Sequence, residues 1–178
     1  AKLLIAKYKT VTSVIFADIE ELKKFDGLGE KSVIGLKIVQ EAYLYIAKES
    51  IGTGNLNLGE NEKLVNYLRK KIGFSKKEEF VLVCTDTKGN MIHDLISIGT
   101  LDSSIVHPRE VFKKAIENNS KYIIIAHNHP SGDASPSQED ILTTRKLVEA
   151  GKIIDIELVD HLIITPETHA SMKELKYI

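Results

Sequence analysis

The stretch Lys121-Tyr122-Ile123-Ile124-Ile125-Ala126-His127-Asn128-His129-Pro130-Ser131-Gly132-Asp133-Ala134-Ser135-Pro136-Ser137-Gln138-Glu139-Asp140 changes character twice. From Lys121 to Ala126 it is a continuous apolar run, the pattern of a strand buried on both faces. His127 and His129 at the end of that strand project to one side, because strand side chains alternate with a period of two. A loop of Pro, Ser, Gly and Asp follows. Ser137 then reads as the N-cap of a helix running to about Ala150 and stopped by Gly151, with Asp140 in its first turn. Such a loop can fold the helix start back towards the two imidazoles. Imidazoles are good zinc ligands, and a nearby carboxylate can supply a third. Three protein ligands leave one tetrahedral position for water, the layout of a catalytic site rather than a closed structural one. The same residues admit a structural reading, since Ser137-x-x-Asp140 is also a capping-box spacing and a His-x-His pair alone is a weak metal signal.

Working outward, Pro108 suits the first position of a helix that ends near Asn118-Asn119. Phe80 to Thr85 is a short β-rich run, turned by Thr87-Lys88-Gly89-Asn90 into a second strand from Met91 to Ile98. A third strand is expected from Leu101 to Val106, and two last strands from Ile153 to Val159 and Leu162 to Thr165. Leu64, Val65, Tyr67, Leu68 and Ile72 read as a helix capped near Asn61. The order β-β-β-α-β-α-β-β makes a mixed α+β or three-layer domain over residues 61–178. Residues 51–60, rich in Gly and Asn, read as a linker. Residues 1–50 read as helical throughout, with Asp18 and Glu21 at capping-box spacing and a break at Asp26-Gly27-Leu28-Gly29. The chain opens at Ala1 within an amphipathic pattern and without an initiator Met, and it reads as a fragment truncated at its N-terminus.

Composition narrows the classes. Hydrophobic residues make up 43% of the 178 and charged residues 28%, which suits a globular chain and not a disordered one. The formal net charge is −1, so no overall positive field draws the chain to nucleic acid or an anionic membrane. The longest apolar runs fall far short of the roughly 20 residues a bilayer span needs, and the N-terminus lacks the basic lead-in and cleavage site of a signal peptide. A single cysteine, Cys84, excludes an internal disulfide framework and a Cys-based zinc finger and favours a reducing compartment.

His127-x-His129, seven intervening residues and then Ser137-x-x-Asp140 resembles the JAMM (MPN-plus) metalloprotease motif. The longer string from His127 to Asp133, with Pro136-Ser137, resembles the RadC branch of that superfamily. So do Gly99-Thr100-Leu101, Val106-His107-Pro108-Arg109-Glu110-Val111 and Asp160-His161-Leu162-Ile163-Ile164. The resemblance covers Phe80 to Thr165. It implies a three-layer JAB/MPN fold of cytidine-deaminase-like type and a bacterial, cytoplasmic protein. It further implies one Zn2+ per chain held by His127, His129 and Asp140, and a hydrolase, a peptidase or isopeptidase, acting on a peptide or protein. Ser137 is implied as a hydrogen-bonding stabiliser of the tetrahedral intermediate.

The family mechanism also wants a glutamate from an upstream strand as general base. Alignment on Gly99-Thr100 puts Asp94 there, one methylene shorter, with Glu110 the substitute in type. His107 reads as a structural residue before Pro108, His161 as a satisfied core histidine, His93 as a solvated side chain opposite Asp94, and Cys84 as a small buried hydrophobe.

Phe25-Asp26-Gly27-Leu28-Gly29-Glu30-Lys31 resembles a helix-hairpin-helix element, in which the turn at Gly27 and Gly29 would aim backbone N–H groups at a DNA phosphate. Residues 1–50 hold eight Lys and seven Asp or Glu, so one or two phosphate contacts there would bind weakly. The rival to the hydrolase is therefore a DNA-repair-associated accessory protein, or a binding module, whose metal site is structural or vestigial. Exposed strand edges leave room for a homodimer.

Overall fold

A computed structural model describes residues 2–51, 62–98 and 106–178. The N-terminal part contains α1 (Lys2–Tyr8), α2 (Val11–Ile15), α3 (Ile19–Lys23) and α4 (Glu30–Ile51). Leu4, Val14, Ala17, Leu22 and Val33 bury themselves against one another, with Tyr8, Phe25, Leu28 and Leu36 around them. Asp18 caps α3 by accepting from the backbone N–H groups of Glu20 and Glu21. Gly27 adopts φ 79°, a conformation that β-carbon sterics discourage in other residues. Gly29 accepts from the N–H groups of Ser32 and Val33 and so opens α4.

The remaining elements are α5 (Glu62–Ile72), β1 (Glu79–Thr85), β2 (Met91–Ile98), α6 (Pro108–Glu117), β3 (Tyr122–Asn128), α7 (Gln138–Ile154), β4 (Glu157–Ile164) and β5 (His169–Ser171). The sheet order is β2-β1-β3-β4-β5, with β3 and β4 parallel and the other neighbours antiparallel. The parallel pair needs a crossover, and α7 supplies it. Strand periodicity divides the core into two layers. Val81, Val83, Ile124 and Ala126 face α5, whose Leu64, Leu68 and Ile72 stripe packs on them together with Ala47 and Ile51 from the end of α4. Leu82, Cys84, Ile123 and Ile125 face the other way, against Val111, Phe112 and Ala115 of α6 and Leu147 of α7. This is a mixed α+β, three-layer arrangement, as expected. No helix among the described residues is long and apolar enough to cross a membrane.

Three expectations change at the C-terminal end. Ile153 and Ile154 belong to α7 and not to a strand, and β4 is one continuous strand where two were expected. Gly151 does not stop α7, because its role is close approach: a β-carbon there would collide with the Ile156 carbonyl oxygen. The helix ends at Asp155, in the left-handed conformation at φ 57°, with the Ile156 N–H returning to the Gly151 carbonyl. The short β5, which carries little apolar pattern, was not expected. The third strand expected over Leu101–Val106 and the Gly99-Thr100-Leu101 segment fall outside the described residues, save Val106, which lies in neither helix nor strand. The expected linker likewise lies outside them, apart from Ile51, the last residue of α4. The His93 side chain is not among those described.

Candidate metal centre

β3 ends where two local devices take over. Asn128, buried between the two histidines and pointing the opposite way, accepts from the Glu79 N–H at 2.7 Å through Oδ1. Its amide donates to the carbonyls of Ser75 and Lys77 at 3.1 Å each, clamping the entry to β1 against the strand end. The chain then turns through Gly132 at φ 84°, and the Asp133 carbonyl comes within 2.8 Å of Nδ1 of His129. A carbonyl only accepts, so that ring nitrogen donates and Nε2 of His129 is left to face the cluster.

Ser137 opens α7 with a complete capping box. Its hydroxyl accepts from the Asp140 N–H at 3.1 Å, and the Asp140 carboxylate accepts from the Ser137 N–H at 2.7 Å. The hydroxyl also donates to Oδ2 of Asp140 at 2.6 Å. The capping reading and the ligand reading therefore coexist, because the cap is what aims the carboxylate. Its Oδ1 lies 3.1 Å from Nε2 of His127, and its Oδ2 lies 3.5 Å from Nε2 of His129. The two Nε2 atoms are 3.0 Å apart.

Donor atoms bound tetrahedrally at ~2.0–2.1 Å would sit about 3.3–3.4 Å from one another. The two carboxylate contacts are to different oxygens. With one oxygen counted, the three donor atoms lie within 4.8 Å of one another, so a bound cation would draw them together. The donor set, two imidazoles and a carboxylate, suits a borderline cation. His127, His129 and Asp140 are, among the described residues, the His, Cys, Asp and Glu group that can hold a metal ion. Burial by itself pushes the Asp140 carboxyl up, but the His127 contact and the Ser137 hydrogen bonds outweigh it and hold it well below the usual carboxylate range. It is an anion ready to ligate.

His161 was expected as a satisfied core histidine. It is 2% exposed, with Nε2 2.8 Å from Nδ1 of His127 and Nδ1 2.7 Å from the Thr144 hydroxyl. Burial, helped by the neighbouring His127, lowers its pKa to about 3, so it is neutral. Its link to His127 was not legible in the sequence. Leu158 belongs to the layer against α6 and α7, and three positions later His161 would point the opposite way on a regular strand. A register shift between β3 and β4, in which Ile123 pairs with Leu158 but Ile124 with Asp160, turns it back.

Asp94 does not join the cluster, which corrects its expected place beside the imidazoles. It pairs across the sheet with Val83, and Val83 with Ile124, on the face that packs against α5. His127 pairs with Phe80 and shares the opposite face with Ile125 and Ile123. The Asp94 carboxylate is instead engaged by Lys48 of α4, by Lys71 of α5 and by the Tyr67 hydroxyl, which donates at 2.6 Å. Burial raises its pKa, but these three hydrogen-bonded partners bring it down to about 2. Side-chain length, the departure visible in the sequence, is not what decides its role.

The other candidates find structural roles. His107 caps α6, its Nδ1 accepting from the Arg109 N–H at 3.1 Å. Glu110 is exposed and paired with Arg109 in the same turn. Cys84 is fully buried, and burial pushes its thiol up.

The comparisons with known proteins agree with this architecture. The model of the RadC-like JAB domain matches residues 58–177. A UPF0758 protein of Caldanaerobacter subterraneus subsp. tengcongensis is 38% identical over 178 residues, 99% of this chain and 76% of the relative. One from Geobacillus sp. (strain WCH70) is 42% identical over 163 residues, 91% of this chain and 72% of the relative. One from Methanosarcina barkeri is 35% identical over 170 residues, 95% of this chain and 74% of the relative. With its family-model match covering the sheet and the His-His-Asp cluster, and with relatives this similar along most of its length, the chain belongs to the RadC-like JAB domain family.

Proposed function

We propose that the chain is a zinc-dependent hydrolase of peptide or isopeptide bonds. The observation that carries this reading is the donor set: two Nε2 atoms and one carboxylate converging at 3.0–3.5 Å on one side of the sheet. Zinc held there supplies a water activated near neutral pH, its pKa lowered toward ~7, and polarises a scissile carbonyl. His127 and His129 bind through Nε2 and Asp140 through its carboxylate, which the capping box orients. Ser137 stands at the cluster as the hydroxyl that can meet a tetrahedral oxyanion, and to do so it gives up its 2.6 Å bond to Asp140. Asp94 is left out of the chemistry, since the sheet separates it from the imidazoles. A peptide or protein substrate is the partner this reading requires.

The test is metal content by elemental mass spectrometry on protein purified without chelator or a His tag, beside the His127→Ala/His129→Ala variant. Close to one zinc per chain in the parent and none in the variant is expected, with peptide and isopeptide libraries screened next. A parent that neither carries zinc nor takes it up on addition defeats the proposal.

One observation favours the rival, a DNA-associated accessory. Gly27 and Gly29 lie between α3 and α4 with open space around both, as a phosphate-facing turn requires. A salt-dependent shift of branched or single-stranded DNA, lost on changing both glycines, would establish that reading. No shift at low salt would end it.

A further inference from the structure

The hydrolase reading leaves a line of buried polar side chains unused. Thr144, one turn beyond Asp140 on α7, places its hydroxyl 2.6 Å from the Asp140 carbonyl oxygen and 2.7 Å from Nδ1 of His161. Nε2 of His161 in turn meets Nδ1 of His127. Thr144 is fully buried and His161 nearly so.

Each hydrogen in this line has one place to go. A hydroxyl carries a single proton and a carbonyl can only accept, so Thr144 donates to Asp140. Its oxygen is then free to accept, and Nδ1–H of His161 is the donor facing it. A neutral imidazole donates from one nitrogen and accepts at the other, so Nε2 of His161 accepts. Nδ1 of His127 must therefore carry a proton, and in the neutral ring the lone pair falls on Nε2, the atom turned towards His129 and Asp140. The opposite direction fails at Thr144, where it sets the hydroxyl oxygen's lone pairs against a carbonyl at 2.6 Å. With His161 so fixed as Nδ1–H, a His127 protonated only on Nε2 would set two bare ring nitrogens against each other at 2.8 Å. Unmade hydrogen bonds in so dry a place are costly.

We infer that Thr144 and His161 are positioning residues that hold His127 in its Nδ1–H tautomer and so present Nε2 to the metal. The inference rests on the metal-site reading above. His129 reaches the same state by a different device, the Asp133 carbonyl. The line also closes on itself, because Asp140 supplies both its carbonyl terminus and the carboxylate that faces His127.

Two readouts test it on the chain as it stands. Long-range 1H–15N NMR of the metal-free protein reports the tautomer of each ring, and competition with a chromophoric chelator reports zinc affinity. The parent is expected to show His127 as Nδ1–H. His161→Leu should weaken zinc about 10–100-fold, the usual effect of removing a partner that orients a ligand. His161→Gln, whose amide oxygen can take the Nδ1 proton, should recover most of that loss. Thr144→Val should move His127 towards a tautomer mixture with a smaller loss of affinity. An Nε2–H His127 in the parent, or unchanged zinc affinity in His161→Leu, overturns the inference. Should His161→Leu fail to fold, the parent spectrum and Thr144→Val decide. A parent that takes up no zinc removes the metal reading, and the metal-free spectrum still decides the relay separately.

Discussion

Two aspartates, Asp94 buried in β2 and Asp140 half-buried at the start of α7, lie against opposite faces of the same sheet and have opposite fates. Asp94 meets two ammonium groups and a phenol, contributed by helices on the α5 side. Asp140 meets two imidazoles and its own helix cap. Both carboxylates are held ionised despite burial. At Asp94 the surrounding charges are permanent and tethered, so the carboxylate is saturated and serves as a strut joining α4, α5 and β2. At Asp140 the imidazole partners can lose their Nε2 protons and become donors beside the carboxylate, so a cation between them would satisfy all three. What a buried acid can do is set by whether its neighbours complete its charge or share its need.

That contrast can be broken most sharply by crossing the two sites. Asp140→Ala should abolish stoichiometric zinc binding, whereas Asp94→Asn should leave zinc content unchanged, both read by elemental analysis. The reverse pattern would overturn the assignment of roles. Asp94→Asn should instead lower unfolding free energy by about 3 kcal/mol in a urea titration, because it leaves the largely buried Lys71 charge without its counter-charge. Asp94→Glu should produce no gain of hydrolysis, since the added methylene reaches into the α4/α5 side.

Acid provides a milder test of the strut. The Asp94 pKa is depressed from 3.8 to about 2 on folding, so its stabilisation is fully present above pH 4 and is lost as pH falls through 2. Over that window the parent should lose about 2 kcal/mol that Asp94→Asn does not, measured by chemical denaturation at stepped pH. The smallest effect belongs to the cap. Ser137→Ala should cost about 1 kcal/mol through the lost N-cap of α7, and it should weaken zinc binding by loosening the Asp140 carboxylate. A cap loss with undiminished zinc affinity would show that Ser137 does not orient the ligand.

Much of this molecule was legible from local pattern. The apolar run before His127, the alternation that puts His127 and His129 on one side, the turn before Met91 and the capping spacing of Ser137 and Asp140 all act within a few residues. The structure carries each of them. Gly151 shows where such reasoning stops: its meaning as a contact rather than a helix end depends on Ile156 folding back over it. β5 is three residues long and is held by its pairing with β4, so its own composition says little.

The sequence by itself determined the candidate ligands that one strand, one loop and one helix start can gather, because bond geometry and side-chain period settle their mutual directions. Only the tertiary structure decided which face Asp94 occupies and that His161 turns towards His127. Strand pairing assigns a face only through its register, and a shift of a single residue reverses it. The partners that then give each group its chemistry arrive from distant elements: Lys48 and Tyr67 for Asp94, Thr144 for His161. No local pattern contains them.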